Sequence, residues 1–327
     1  MPVHAFIFPG QGSQSVGMGR DLAAAFSSAR EVFQEVDEVL KLKLSKLMFE
    51  GPAEELTLTE NTQPALMAMS LAVLRVLETE GGFKLAQKAI LVAGHSLGEY
   101  SALAAAGSFS IADTARLLRL RGLAMQKAVA PGEGAMAALL GVEIAQAAEI
   151  CEAAALVPDS VSEEFPDGIR QVVEPANDNG GGQVVISGHR EAVERAIEVA
   201  KTRGVRRAML LPVSAPFHCA LMAPAAEAMA EAFERTPPRA PLVPLIANVS
   251  AAKATDPAAI QDGLIRQVTA TVRWRESVQA MGAIGVDSFL ELGAGKVLAG
   301  LVKRIAPDAA GLSAGTPAEI EAMLKTL

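Results

Sequence analysis

Short apolar runs alternate along the chain with longer stretches in which apolar residues recur every three or four positions, a pattern that predicts layered α/β structure. His4 to Phe8 reads as a first strand, Arg20 to Leu40 as a helix, and Pro64 to Glu80 as a stronger helix stopped by Gly81-Gly82. Ala89 to Ala93 is the next strand, and Ala112 to Ala128 the next helix, ahead of Pro131-Gly132. Ala135 to Leu140 then predicts a strand, Ile144 to Ala155 a helix, Val172 to Pro175 and Gln183 to Ser187 two strands, Glu191 to Arg203 a helix closed by Gly204, and Arg207 to Leu211 a strand. Leu242 to Ala247 and Val286 to Leu292 return as apolar strands, with a helix over Lys296 to Ile305.

The β-α-β-β-α-β order in the middle of the chain is the ferredoxin-like arrangement, a unit that closes on itself. The predicted fold class is therefore α/β: a large α/β-hydrolase-like domain with a parallel sheet core, from residues 1–129 and 212–327, plus a small inserted ferredoxin-like α+β domain at 130–211. Asn177-Asp178-Asn179 reads as a turn inside the small domain, and the polar, acidic stretch from Val157 to Gly168, with two prolines, as a surface loop.

Gly94-His95-Ser96-Leu97-Gly98 sits where the strand Ala89 to Ala93 should meet the helix Glu99 to Ala106, the context that a nucleophile elbow requires. The two glycines allow a sharp turn, which stands the serine hydroxyl at a helix N-terminus where free N–H groups can bind an oxyanion. A plain tight turn is the competing reading, since the five-residue spacing is weak evidence outside that context.

Composition narrows the function. Half of the 327 residues are hydrophobic, enough for a sizeable core, while a net charge of −8 and 4% aromatic residues argue against a nucleic-acid surface. Cys151 and Cys219 lie far apart without metal-ligand spacing, so reduced thiols are expected, with no disulfide framework and no metal. No basic stretch precedes a long apolar region and no run of about twenty apolar residues occurs, so a soluble cytoplasmic protein, a monomer without membrane contact, is expected.

A serine nucleophile needs a base, and the histidines are His4, His95, His189 and His218. His4 begins a strand, His95 should point away from the serine, and His189 leads into a helix. His218 follows Pro212 to Phe217, an irregular stretch after a strand that can hold a base rigidly; a structural or exposed histidine is the alternative. The acid that a hydrolase would place between serine and histidine is missing, because Asp113 opens a helix, Asp159 and Asp167 fall in the polar loop and Asp178 in the Asn-Asp-Asn turn. A Ser-His dyad, its imidazole oriented by a neutral acceptor, fits better. Gly10-Gln11-Gly12-Ser13-Gln14-Ser15 fails as a dinucleotide fingerprint at its third glycine, and Gly293-Ala294-Gly295-Lys296 lacks phosphate-loop spacing and reads as a strand-to-helix turn.

Taken together, the motifs resemble the malonyl-CoA:acyl-carrier-protein transacylases of fatty-acid synthesis and the acyltransferase domains of polyketide synthases. The resemblance spans nearly the whole chain. It rests on Phe8 to Gln14 with Gly17-Met18-Gly19, Thr62-Gln63-Pro64-Ala65, Gly94 to Tyr100, Arg119-Leu120-Arg121-Gly122, Gln183 to Gly188, Phe217 to Met222, Asn248-Val249 and Glu291-Leu292-Gly293. It implies that Ser96 attacks the thioester of malonyl-CoA, that His218 takes its proton, and that the Gln11 region and the Leu97 N–H hold the oxyanion. Gln267 matches the residue whose backbone carbonyl holds the histidine. Gln63, Phe217, Asn177 and Asn179 match substrate-binding positions, with the asparagine that faces the site left open.

On spacing alone Arg121 is one charge on a helix face, since Arg116 and Arg119 lie nearby. The resemblance makes it the clamp on the malonyl carboxylate, a role suited to the bidentate guanidinium. Phe217 before His218 resembles the malonyl-selective form of its motif, where a bulky ring crowds an α-methyl branch. The implied cycle is ping-pong, with no bound cofactor, a CoA thioester as substrate and the phosphopantetheine thiol of holo acyl carrier protein as acceptor. An acidic carrier needs a local basic rim, for which Lys303-Arg304, Arg206-Arg207 and Arg273 with Arg275 are candidates. The Val157 to Gly168 stretch is longer than the usual family loop. A thioesterase or carboxylesterase using water, an acyltransferase serving a polyketide pathway, and an inert carrier-binding scaffold are the competing readings.

Overall fold

The computed structural model describes residues 2–158, 160 and 167–327, and builds them around two sheets. The first has six strands: β1 (His4–Phe8), β2 (Ala89–Gly94), β7 (Leu245–Ile246), β8 (Lys253–Ala254), β9 (Ser288–Leu292) and β10 (Ala310–Ala314). Their order across the sheet is β10-β9-β1-β2-β7-β8, parallel throughout except at the β8 edge. Both faces are buried, as a parallel sheet with helical crossovers demands. Phe6, Phe8, Val92 and Leu290 pack into the core around the helix Thr59–Gly81, while Ala5, Ile7, Leu91 and Phe289 point into a second core against the helices Trp274–Ala283 and Val297–Ile305.

The second sheet has four antiparallel strands, β3 (Gly134–Leu140), β4 (Val173–Gly180), β5 (Gln183–His189) and β6 (Arg207–Leu210), in the order β4-β5-β3-β6. With the helices Ile144–Ala155 and Arg190–Thr202 it gives β-α-β-β-α-β connectivity and a core of its own, built from Ala137, Leu139, Ile186, Ile150 and Val193. Alternation sends Met136 and Val185 to the opposite face, where they line a cavity shared with the first sheet.

Several elements depart from the sequence reading for identifiable reasons. Asn177-Asp178-Asn179 is not a turn but the end of β4: Asp178 N–H donates to the Val272 carbonyl and Val272 N–H to the Ala176 carbonyl, both at 2.9 Å, which holds this stretch extended. The chain reverses instead at Gly181 and Gly182, at φ 59° and 73°. The run Leu242 to Ala247 shrinks to Leu245–Ile246, since Pro241 and Pro244 supply no ladder donors. Arg20 to Leu40 is two helices, Arg20–Ala25 and Ser27–Leu40, parted by an extended Phe26. The long helix begins at Thr59, before Pro64, because the Leu58 carbonyl accepts the N–H groups of Asn61 and Thr62. Asp159 and residues 161–166 of the expected surface loop lie outside the described residues. No helix among the described residues is long and apolar enough to cross a membrane.

The C-terminal ends of β1, β2 and β9 meet at one edge of the large sheet, where a parallel α/β sheet presents its ligand crevice. Gln11 follows β1, Ser96 follows β2, and the Gly293-Ala294-Gly295 turn follows β9.

Candidate active site

The turn after β2 is compressed beyond what any side chain would allow at its two glycines. A Cβ on Gly94 would lie 1.9 Å from the Gly98 carbonyl oxygen, and one on Gly98 would lie 2.2 Å from that of Phe8. Between them Ser96 takes φ 54°, the left-handed region that costs a non-glycine residue about 1–2 kcal/mol. Two side chains hold it there. Asn248 accepts the Ser96 N–H on Oδ1 at 2.8 Å and donates Nδ2 to the Gly94 carbonyl at 2.7 Å, while Gln267 donates Nε2 to the Ser96 carbonyl at 2.9 Å.

Ser96 Oγ lies 2.7 Å from His218 Nε2, and His218 Nδ1 lies 2.8 Å from the Gln267 carbonyl oxygen. A carbonyl only accepts, so Nδ1 carries the hydrogen and Nε2 is left to accept the Ser96 hydroxyl proton. His218 also sits at positive φ, 61°, after the irregular segment that follows β6. Burial first, and the Arg121 guanidinium second, lower its pKa to about 3, so the imidazole is neutral across physiological pH. No hydrogen bond joins a carboxylate to this histidine among the described residues.

Arg121, on the buried face of the helix Ile111–Lys127, is 1% exposed. Its Nη1 donates to Gln63 Oε1 and its Nη2 to Gln267 Oε1, both at 2.8 Å, and Nη2 lies 3.3 Å from Ser96 Oγ. Nε is buried without a partner, so the fork keeps unused donor capacity. The charged neighbour that faces this cation is Glu99, whose carboxyl burial pushes up to about 7 against the opposing pull of the Gln267 amide, the Asn248 N–H and Arg121.

These groups open on a cavity of about 630 Å³ at the junction of the two sheets. Gln11, Gln63, Ser96, Leu97, Arg121, Asn177, Asn179, Phe217 and His218 all line it; Gln267, fully buried behind Arg121 and His218, does not. The N–H groups of Gln11 and Leu97 have no hydrogen-bond partner among the described residues, as an oxyanion site requires. Both asparagines reach the cavity, and Asn179 Oδ1 accepts from His95 Nε2 at 2.9 Å, with the His95 ring set against Trp274.

Other singled-out residues serve structure. Asp178 is buried against Arg275 at 2.8 Å, and Arg273 pairs with Glu276, so these two arginines are not free at the rim. Arg304 does reach the cavity edge, donating to Gln183 at 3.3 Å. Burial raises the thiols of Cys151 and Cys219 to about 12 and 11, which keeps them unreactive. Sequence reasoning gave no role to Asn248, Glu99 or Thr59, although Thr59 Oγ1 accepts the Gln11 side-chain amide at 3.2 Å. The signal available for Glu99 was an acid on an otherwise apolar helix next to the elbow.

Comparison with known proteins places this geometry in a family. Residues 5–314 match the family model described as an acyl transferase domain. The chain is 46% identical over 324 residues to a malonyl CoA-acyl carrier protein transacylase of Salmonella typhimurium, covering 99% of both chains, and 46% identical over 323 residues to one of Bacillus subtilis, covering 99% of this chain and 96% of the other. Among solved structures, an acyl-carrier-protein-S-malonyltransferase from Bartonella henselae superposes with a TM-score of 0.92 at 55% identity, covering 99% of each chain. A malonyl-transacylase solved in complex with a type II polyketide synthase acyl-carrier protein superposes with a TM-score of 0.91 at 41% identity, covering 99% of this chain and 100% of the other. With a nucleophile elbow, a carbonyl-held histidine and matches of this length, the chain belongs to the acyl transferase family.

Proposed function

We propose that this chain transfers the malonyl group of malonyl-CoA to the phosphopantetheine thiol of a holo acyl carrier protein, by way of a malonyl ester on Ser96, and so supplies extender units for fatty-acid synthesis. The observation that carries the reading is a buried guanidinium, fixed by two glutamines, 3.3 Å from the nucleophilic oxygen. An uncharged acyl group would leave that cation with only neutral oxygens as hydrogen-bond partners, whereas a malonyl carboxylate pairs with it through charge-assisted hydrogen bonds.

In the first half-reaction the Ser96 hydroxyl proton passes to His218 Nε2 as Oγ attacks the thioester carbonyl. The developing oxyanion faces the N–H groups of Gln11 and Leu97. Collapse breaks the carbon–sulfur bond, and the CoA sulfur leaves with the proton held by His218. In the second half-reaction the carrier thiol gives its proton to His218 and attacks the serine ester, and the departing Oγ recovers that proton. The Gln267 carbonyl stabilises the imidazolium in each half without taking a proton itself. Phe217, packed beside His218 on the cavity wall, crowds an α-methyl branch and favours malonyl over methylmalonyl.

The test is intact-protein and peptide mass spectrometry after brief exposure to equal malonyl-CoA and acetyl-CoA, followed by a chase with holo carrier protein. A malonyl adduct on the Ser96 peptide that moves to the carrier is expected, with methylmalonyl-CoA labelling more slowly. An adduct lost to water with none on the carrier would make the chain a hydrolase, and no adduct would make it a scaffold.

The low pKa of His218 sets a pH dependence. A base works in its neutral form, so the rate of Ser96 acylation falls only as pH drops through the histidine's own pKa. With that value near 3, acylation by acetyl-CoA stays flat from pH 8 down to about 5, where an ordinary histidine of pKa about 6.5 would already be almost wholly protonated. Replacing Arg121 with alanine removes one of the influences that lower it, so the acid limb moves to higher pH. A wild-type limb centred near 6.5 in stopped-flow acylation would contradict this.

A further inference from the structure

We propose that Glu99 is a positioning residue whose buried carboxylate sets the side-chain amide of Gln267, so that one amide ties the substrate clamp Arg121 to the backbone of the nucleophile. The inference rests on the Arg121 reading given above. Glu99 is 1% exposed and Gln267 wholly buried, so each polar atom between them must find a partner inside the protein. Gln267 spends its atoms on three functions. Its backbone carbonyl takes His218 Nδ1–H, its Oε1 takes Arg121 Nη2–H, and its Nε2 donates to the Ser96 carbonyl at 2.9 Å and to Glu99 Oε2 at 2.6 Å.

The amide has one accepting end and one donating end, and only one orientation serves Arg121. Accepting from Nε2 at 2.6 Å, the Glu99 oxygen pins the donor end and leaves Oε1 toward the guanidinium. Without that acceptor, one N–H of Gln267 is left only the longer contact to Asn248 Oδ1, at 3.3 Å, an oxygen that already accepts the Ser96 N–H, and an amide that swings to find a better partner withdraws Oε1 from Arg121 or sets N–H against N–H. Glu99 also accepts the backbone N–H of Asn248, at 3.4 Å, the residue whose side chain receives the Ser96 N–H. The Glu99 side chain makes no hydrogen bond to a cavity-lining group among the described residues; its hydrogen bonds go to the two amides.

The experiment measures the ratio of malonyl to acetyl transfer, as kcat/KM for each CoA ester, in the full chain carrying Glu99→Leu, Glu99→Gln, Gln267→Leu and the double substitution Glu99→Leu with Gln267→Leu. Gln267→Leu keeps the backbone carbonyl that holds His218. Each leucine variant is expected to lower the ratio at least about tenfold, mainly through a higher KM for malonyl-CoA, and the double variant to fall no further than either alone. Glu99→Gln retains an oxygen toward Gln267 and is expected to keep the ratio within about threefold of wild type. The proposal is overturned if malonyl and acetyl transfer fall in equal proportion, if the two leucine effects multiply, or if Glu99→Gln loses the ratio as deeply as Glu99→Leu. Should Glu99→Leu fail to fold, Gln267→Leu alone decides, since an unchanged ratio there removes the route through which Glu99 acts. Arg121→Ala is run alongside: a wild-type ratio in that variant would show that the clamp reading, and with it this inference, is wrong at its base.

Discussion

Replacing Ser96 with alanine is expected to abolish the covalent acyl adduct and to lower transfer to the carrier by roughly 10⁴-fold or more. The size of the effect follows from the geometry, because among the described residues no other hydroxyl or thiol is hydrogen-bonded to His218 Nε2. The hydroxyls of Thr59 and Ser214 bond each other at 3.3 Å, away from the imidazole, and the Cys219 sulfur donates to the Pro216 carbonyl, with its thiolate disfavoured by burial. The elbow itself should survive, since Asn248 and Gln267 hold the backbone of residue 96 and not its side chain. The variant should therefore still fold and still bind malonyl-CoA, which thermal melting and equilibrium binding would check. Residual transfer within a hundredfold of wild type, or an adduct on any other peptide, would remove Ser96 from its role.

Replacing Arg121 with alanine is expected to lower malonyl transfer by roughly 10²–10³-fold while acetyl transfer is retained or rises. A site built around a buried cation selects for a charged acyl group in two ways. It pairs with the carboxylate, and it penalises any group that leaves the buried Nε–H without an acceptor. Alanine removes both. It also strands the Oε1 atoms of Gln63 and Gln267, each worth about 1–3 kcal/mol when left unsatisfied, so a lower melting temperature should accompany the change in selectivity. The ratio of malonyl to acetyl transfer separates the two effects, because lost stability alone would lower both rates together. An unchanged ratio in competitive labelling would sink the clamp.

Much of the fold was legible because its elements are short and punctuated. The alternation of β1, β2 and the surrounding helices, and the β-α-β-β-α-β run through the small sheet, follow from apolar periodicity and glycine stops. Asn177 to Asn179 misled because three turn-forming residues in a row outweigh β propensity locally, whereas pairing with Val184 and Val185 of β5 on one side and with Val272, 94 residues from Asp178, on the other keeps them extended. At the site the elbow announced itself through its glycines, whereas the left-handed backbone of His218 and the amide links of Asn248 and Gln267 join segments more than 100 residues from Ser96 and leave no local pattern. Glu99 stood in plain view in an apolar helix, yet spacing could not say what its carboxylate would touch. Arg275 shows the converse, since its carboxylate partner Asp178 is visible only once β4 has docked on the helix Trp274–Ala283, whereas Arg273 pairs locally with Glu276, three residues on.

The cavity draws its candidate reacting groups from the turn after β2, the helix Ile111–Lys127 and the segment that follows β6, and one of its walls, Met136, Asn177, Asn179 and Val185, from strands β3 to β5 of the small sheet, whose hydrophobic core is separate. This division gives the protein two nearly independent targets for evolutionary change. Substitutions along β3 to β5 can reshape what fits beside the nucleophile without disturbing the strained serine or its histidine, so acyl preference can drift while the chemistry stays fixed.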